Sequence, residues 1–298
     1  MKQVICIAGP TASGKSSWAI KLAKKVDGEI INADSMQVYS DLQVLTARPS
    51  NAEMNSIPHH LYGHIDGRER YSVGRWTRDV VPIIFDCMSR DKTPILVGGT
   101  GLYFEALTRG LADIPQPDDA AMLYAKALLS QGVDLLRDEA ERLDPQSASR
   151  VLGDDPQRLL RIVSVAKGTD RVLSEWIADT RPFIPRNSWK GAILLPERSH
   201  VYDRINARFD TMFEMGALEE VEQLINRGLD PGLPIMKAIG VKLLGQYLKD
   251  DISREEAISI SKRDTRRFAK RQYTWFRGHA AAWVTLDKMP DDLEFEGV

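Results

Sequence analysis

The sequence predicts an α/β fold, a parallel sheet flanked by helices, with an inserted helical subdomain. Three observations predict it. Over the first hundred residues short apolar runs alternate with amphipathic stretches, the pattern of strands joined by crossover helices. From Ala120 the apolar spacing turns helical and strand character disappears until about Asn187. Residues 189–195 (WKGAILL) then read as a strand returning to the sheet.

Taken in order, residues 3–8 (QVICIA) are a short continuous apolar run and read as a buried strand. A helix follows over 14–26, a second strand over 29–33, a helix over 73–90, and a third strand over 94–97 that ends in Gly98-Gly99-Thr100-Gly101. Residues 114–119 (IPQPDD) carry two prolines and two acids and mark a boundary. Helical spacing returns over 120–130, 133–143 and 156–167, then over 202–215, 217–226 and 254–276, with the Gly- and Pro-rich stretch 227–234 between. There is no internal repeat, and the chain after Asp287 reads as a loose end. The expected division is a core of residues 1–115 and 188–298 and an inserted, mainly helical subdomain over 116–187.

At 298 residues the chain can hold about two domains. A composition 43% apolar and 28% charged excludes global disorder. No apolar run approaches the roughly 18 residues of a membrane span, and Met1 leads straight into a strand rather than a signal peptide. A cytoplasmic protein with no membrane partner, and a monomer, is expected. Cys6 and Cys87 lie far apart in apolar runs, which reads as two buried thiols. The net charge of -2 hides a polarity: residues 110–157 hold ten acids and four bases, residues 253–277 eight bases and three acids. A polyanionic partner for the C-terminal segment follows.

Gly9-Pro10-Thr11-Ala12-Ser13-Gly14-Lys15-Ser16 fits G-x-x-x-x-G-K-[ST] between a strand and a helix. Backbone N–H groups and the helix N-terminus attract anions, Lys15 supplies a point charge, and Ser16 offers an oxygen to Mg²⁺. The fold class is therefore a P-loop NTPase-like parallel sheet flanked by helices, with the helical insertion. An acid at the tip of the third strand, which usually holds Mg²⁺ in nucleotide-using relatives, is replaced by the neutral Gly98-Gly99-Thr100. Asp34, just after the second strand, belongs at the same end of the sheet as Lys15. It reads equally as a proton-handling carboxylate and as a turn or N-cap residue.

Residues 262–271 repeat basic side chains at i+4 on two ridges, Lys262, Arg266, Lys270 and Arg263, Arg267, Arg271. One broad positive face for the phosphates of a polyanion is expected, against the plainer reading of a solvated helix. His59-His60 lack a Cys or spaced His partner in sequence, so they read as loop-shaping residues rather than zinc ligands.

Several blocks together resemble one family, the tRNA dimethylallyltransferases or isopentenyl-tRNA transferases (IPP transferase family). They are GPTASGKS from Gly9, NADSMQVY from Asn32, TARPS from Thr46, PHHL from Pro58, YSVGRW from Tyr71, ILVGGTGLYFEAL from Ile95, DPQRLLR from Asp155, RINARFDTMFEMGALEEV from Arg204 and TRRFAKRQYTWFR from Thr265. The resemblance implies transfer of the dimethylallyl group of dimethylallyl diphosphate to N6 of the adenosine 3′ to a tRNA anticodon. The loop would then hold a diphosphate leaving group. Asp34 would accept the N6 proton, Thr100 and an arginine would contact the diphosphate, and Ser16 would help place Mg²⁺. Arg204 and Arg208 are both eligible, with Arg208 favoured. Asp34, Ser35, Met36, Gln37 and Thr100 would meet the target base and its neighbours. Gln157, Arg158, Leu159, Leu160 and Arg161 would contact the anticodon stem-loop, as would Lys270 and Arg271 on the basic helix. The chain departs from the family at Gln43-Val44-Leu45-Thr46-Ala47-Arg48, where Asp-Ile-Gly-Thr-Ala-Lys is common, and at Val241, where Tyr is frequent. A P-loop small-molecule or nucleotide kinase is the alternative. It accounts for the first hundred residues but not for the basic helix.

Overall fold

The computed structural model describes residues 2–54, 56–279 and 283–290. Among these, six strands form one sheet: β1 (Val4–Ala8), β2 (Gly28–Asn32), β3 (His59–His60), β4 (Thr93–Gly98), β5 (Trp189–Leu194) and β6 (Val284–Leu286). Their order is β3-β2-β4-β1-β5-β6 and every pairing is parallel. β1, β2 and β4 are buried along their whole length, as strands covered on both faces are. The period of two sorts their side chains. Val4, Cys6 and Ala8 join one core cluster with Ile31 and Leu96, while Ile5 and Ile7 join another with Ile30, Ile95 and Val97.

Helices α1 (Lys15–Val26), α2 (Asn51–Met54), α3 (Val73–Ser89) and α4 (Gly101–Arg109) follow the early strands. α1 covers one face with Trp18, Ala19, Leu22 and Ala23; α3 covers the other with Trp76, Val80 and Ile84. Helices α5 (Asp119–Gln131), α6 (Val133–Leu143), α7 (Pro145–Ala148), α8 (Pro156–Gly168) and α9 (Leu173–Ala178) come next. After β5 come α10 (Arg198–Glu214), α11 (Ala217–Asn226), α12 (Val241–Tyr247) and α13 (Arg254–His279).

The sequence expected neither α4 nor the two short strands β3 and β6. α4 has apolar residues on most sides, with Tyr103, Phe104, Ala106 and Leu107 buried and Leu102 exposed, so it offers no clean helical stripe. β3 is two polar residues paired with Ile30 and Ile31. The loose end expected after Asp287 falls largely on residues 291–298, which lie outside the described residues. Cys6 and Cys87 are both buried free thiols.

The chain divides into two compact units, Met1–Thr108 with Ile184–Val298, and Arg109–Phe183. The second begins and ends a few residues earlier than the expected 116–187. Its entering and leaving segments run side by side: a Cβ on Gly110 would lie 2.4 Å from the Arg181 carbonyl oxygen. Both segments belong to that unit, which therefore begins ahead of the proline-rich stretch that the sequence marked. Its core is Ala125, Leu136, Ala140, Ala148, Leu159, Ile162 and Val163. Among the described residues, no helix is long and apolar enough to cross a membrane.

Candidate active site

The loop after β1 turns into α1 through Gly14, whose φ of +97° is left-handed and suits glycine. α1 has no side-chain cap and no acid in its first turn, so its N-terminal amides are open to an anion. Ser13 Oγ is buried without a hydrogen-bond partner, an orphan that a phosphate oxygen would satisfy. Lys15 Nζ donates to the Pro10 carbonyl at 3.2 Å. Burial pushes its pKa down to about 8, against the pull of Asp34, and the neighbouring charge of Arg208 lowers it further. Ser16 is exposed on the first turn of α1. One loop amide is engaged elsewhere: Thr11 N–H donates to Gln272 Oε1 at 2.9 Å.

Asp34 follows β2 and is braced by Asn32, whose Oδ1 accepts from Asp34 N at 2.8 Å and whose Nδ2 donates to Asp34 O at 2.9 Å. Asp34 Oδ1 accepts from Met36 N at 2.9 Å, the hydrogen bond of an Asx turn. Its Oδ2 has no hydrogen bond among the described residues. The turn role and a chemical role thus use different oxygens. Thr100 N donates to Ala33 O at 3.2 Å, and Thr100 Oγ1 accepts from Ser35 N at 2.9 Å. That acceptor role leaves the hydroxyl proton of Thr100 available for donation.

Two arginines one turn apart on α10 reach the phosphate loop. Arg208 Nη2 donates to Thr11 Oγ1, and Arg204 Nη1 donates to the Ser13 carbonyl at 3.4 Å. Burial lowers the Arg208 pKa and Asp34 raises it, which leaves the guanidinium charged at neutral pH.

Thr11, Asp34, Ser35, Met36, Thr46, Arg208 and Arg271 line a cavity of about 270 Å³. Its remaining wall is largely apolar, from Leu45, Ile205, Phe209, Met212, Ile239 and Phe268. None of these apolar residues stood out in the sequence, because they come from four separate segments and each sits in an ordinary apolar position. The departing segment at Gln43 supplies Leu45, and the Glu220 carboxylate accepts from the amides of Gln43, Val44 and Leu45 at 2.6, 2.9 and 2.9 Å. Val241 is buried.

Gln37 donates from Nε2 to the carbonyls of Thr46 and Ala47, both at 2.9 Å, so only its Oε1 remains for a base edge. In the second unit, Gln157 and Arg158 are exposed in the first turn of α8, with Arg158 3.4 Å from Asp155. Arg161 is half-buried, its pKa held down by burial. Leu159 is corrected as an RNA contact: it is 0% exposed in that unit's core, and Leu160 packs partly against the same core. They support the helix that carries Arg158 and Arg161.

The broad positive face expected on α13 is also narrower than its sequence. Lys262 pairs with Asp210 at 2.6 Å, Arg263 and Arg267 with Asp264 at 3.1 and 3.7 Å, and Arg266 donates to Asn206 at 2.6 Å. Lys270 and Arg271 are exposed and have no ion-pair partner among the described residues. His60 does more than shape a loop. Its Nε2 lies 2.7 Å from Glu29 Oε2, in a three-donor group with Cys87. Arg90 occupies that carboxylate with two bonds of 2.6 and 3.0 Å, so the group is an ion-pair network around the buried Glu29.

A family model described as IPP transferase matches residues 37–279, and one described as isopentenyl transferase matches residues 2–63. The chain is 52% identical to a tRNA dimethylallyltransferase of Maricaulis maris over 98% of this chain and 95% of that one. It is 45% identical to one from a Caulobacter species, covering 96% and 93%. Among solved structures, the full-length tRNA isopentenylpyrophosphate transferase of Bacillus halodurans is 34% identical with a TM-score of 0.70, covering 99% of this chain and 92% of that one. A eukaryotic dimethylallyltransferase acting on tRNA is 29% identical with a TM-score of 0.82, covering 100% and 76%. With Thr11 of the glycine-rich loop, Asp34 and Arg208 in one cavity with an apolar wall, and this similarity over nearly its whole length, the chain belongs to the IPP transferase family, as a prenyl-transferring enzyme of the tRNA dimethylallyltransferase kind.

Proposed function

We propose that this enzyme transfers the dimethylallyl group of dimethylallyl diphosphate to N6 of the adenosine at tRNA position 37, 3′ to the anticodon, and releases diphosphate. The observation that carries the reading is one cavity with two kinds of lining. Asp34, with an unbonded oxygen, and the Arg208 guanidinium share it with six large apolar side chains. A five-carbon allylic chain on a diphosphate has that division of polarity.

The adenine amine is a weak nucleophile in a stacked base, so it has to be extruded and oriented. Asp34 Oδ2 hydrogen-bonds one N6 proton, aims the lone pair at the allylic carbon, and takes that proton as the N6–C bond forms. The C–O bond to the diphosphate breaks with its electron pair going to the leaving oxygen. That growing charge meets the α1 amides, Lys15, Arg208 and the free proton of the Thr100 hydroxyl. Magnesium fits the donor set: the exposed Ser16 hydroxyl would offer it one hard oxygen beside the loop, and Mg²⁺ characteristically keeps waters and rests on substrate phosphates rather than on an all-protein cage. Its contribution when bound is charge neutralisation on the diphosphate.

Incubation with unmodified tRNA and labelled dimethylallyl diphosphate, with ATP in a parallel reaction, tests the proposal. Label is expected in tRNA from the prenyl donor alone, and is lost when the adenosine 3′ to the anticodon is replaced. Phosphoryl transfer from ATP without prenylation would instead support a kinase.

A further inference from the structure

The reaction scheme makes no use of Gln272, although this side chain touches both phosphate-side loops. It is 6% exposed, and both ends of its amide are bonded to backbone. Oε1 accepts from Thr11 N, and Nε2 donates to Gly99 O, each at 2.9 Å. Thr11 lies in the loop after β1, and Gly99 in the turn after β4, beside Thr100. Gln272 arrives from α13, far along the chain. The helix meets the turn without slack: a Cβ on Gly99 would lie 2.2 Å from Gln272 Nε2, and one on Gly101 would lie 2.1 Å from the Trp275 ring.

Few side chains can make this bridge. It needs an acceptor and a donor at the end of a flexible stem; glutamate lacks the donor and lysine the acceptor. Thr11 is held from a second side as well, since its hydroxyl accepts from Arg208. The phosphate loop, the arginine that faces it and the Thr100 turn therefore share one hub.

We infer that Gln272 is a positioning residue for the diphosphate site: it fixes the spacing between the phosphate loop and the Thr100 turn, and touches neither RNA nor prenyl group itself. The inference rests on the reading that this loop holds a diphosphate. Misplacing reacting groups by about 1 Å can lower a rate about 10²-fold, so a lost spacer should act on chemistry more than on RNA binding.

The test uses the full chain with Gln272→Met, Gln272→Ala, Gly99→Ala and the double variant Gly99→Ala with Gln272→Ala. Gln272→Met keeps the length of the side chain and removes both hydrogen bonds. Its single-turnover transfer rate should fall about 10- to 100-fold. Inorganic pyrophosphate should bind about tenfold more weakly by calorimetry, while the tRNA dissociation constant without diphosphate stays within twofold. Gly99→Ala alone should act like Gln272→Met, because its new methyl displaces the amide. In the Gln272→Ala background the same methyl meets no amide, keeps only a 3.2 Å approach to the Gly9 carbonyl oxygen, and should add less than it does alone, a non-additivity that marks a direct contact. Unchanged pyrophosphate affinity in folded Gln272→Met would overturn the inference, as would tRNA affinity falling in step with rate, or Gly99→Ala and Gln272→Ala effects that simply multiply. If the wild-type chain failed to prenylate tRNA, the proposed reaction would fail, and the pyrophosphate measurements would still judge Gln272.

Discussion

The charged and apolar ends of the site, the first reaching from the cavity to the glycine-rich loop and Thr100, are built in different ways. At the charged end nearly every group is fixed by directed hydrogen bonds. Thr11 is tied through its amide and its hydroxyl, Asp34 through Asn32 and Met36, and Thr100 through Ala33 and Ser35. At the apolar end Ile205, Phe209 and Met212 are held by packing, with exposures of 1, 5 and 8%, and the Leu45 segment is tied through its backbone to the Glu220 carboxylate and to Gln37. Charge stabilisation works only if the dipoles are already oriented when charge develops. Apolar recognition tolerates adjustment, and one methylene discriminates by only about 1–3 kcal/mol. Losses of rate should therefore concentrate at the charged end, and losses of substrate preference at the apolar end.

The sharpest way to break this division is Asp34→Asn. The change is nearly isosteric and retains an oxygen for the Met36 amide, so both substrates should bind while single-turnover alkylation slows by roughly 10²- to 10⁴-fold. Near-wild-type transfer would demote Asp34 to a turn residue. Arg208→Met should follow, with a loss of about 10²- to 10³-fold in rate, the scale seen when one preorganised donor is removed from developing charge. An effect confined to tRNA affinity would move Arg208 out of the leaving-group site.

Lys15 gives the charged end a pH dependence. Its ammonium pairs with the diphosphate and its neutral amine does not, so the bound anion raises the pKa. Taken relative to Lys15→Arg, which cancels the ligand's own ionisation, pyrophosphate affinity should thus be constant below about 8 and fall as pH rises through that value, by up to about tenfold per pH unit. Lys15→Arg, which stays protonated, should flatten the profile; an inflection that persists in it belongs to another group. The smallest effect is expected from the two exposed bases of α13, of which Arg271 also borders the cavity. Lys270→Glu with Arg271→Glu should weaken tRNA binding and reduce the slope of log affinity against log salt by about 0.7 to 0.9 for each lost phosphate contact, with chemistry at saturating tRNA affected less. A slope equal to wild type would make this face of α13 merely solvated.

The charged end was legible in the sequence because it is written in contiguous pieces, a loop of eight residues and the short stretches around Asp34 and Thr100, each directly after an apolar strand. The apolar end was not. Leu45, Ile205, Ile239 and Phe268 are separated by long stretches of chain, and each alone is indistinguishable from core. Gln272 was hidden by its setting, since AKRQYTW reads as the polar side of a basic helix until Thr11 and Gly99 are brought against it. The basic ridges were over-read for the converse reason. Asp264 lies within the run and Asp210 on another helix, and together with Asn206 they engage four of its cations. Arg158 and Leu159 are adjacent in one block, but helical geometry sends adjacent side chains to different faces: Arg158 is exposed and Leu159 went to the core.

The division between the ends is tested most directly by titrating inorganic pyrophosphate and dimethylallyl diphosphate into Lys15→Met and Phe268→Ala. Lys15→Met should weaken both ligands by the same factor, because both present the same diphosphate. Phe268→Ala should weaken dimethylallyl diphosphate about tenfold, in keeping with lost apolar burial, and leave pyrophosphate within twofold. Equal losses of both ligands in Phe268→Ala, or a loss in Lys15→Met confined to the prenyl compound, would contradict the account.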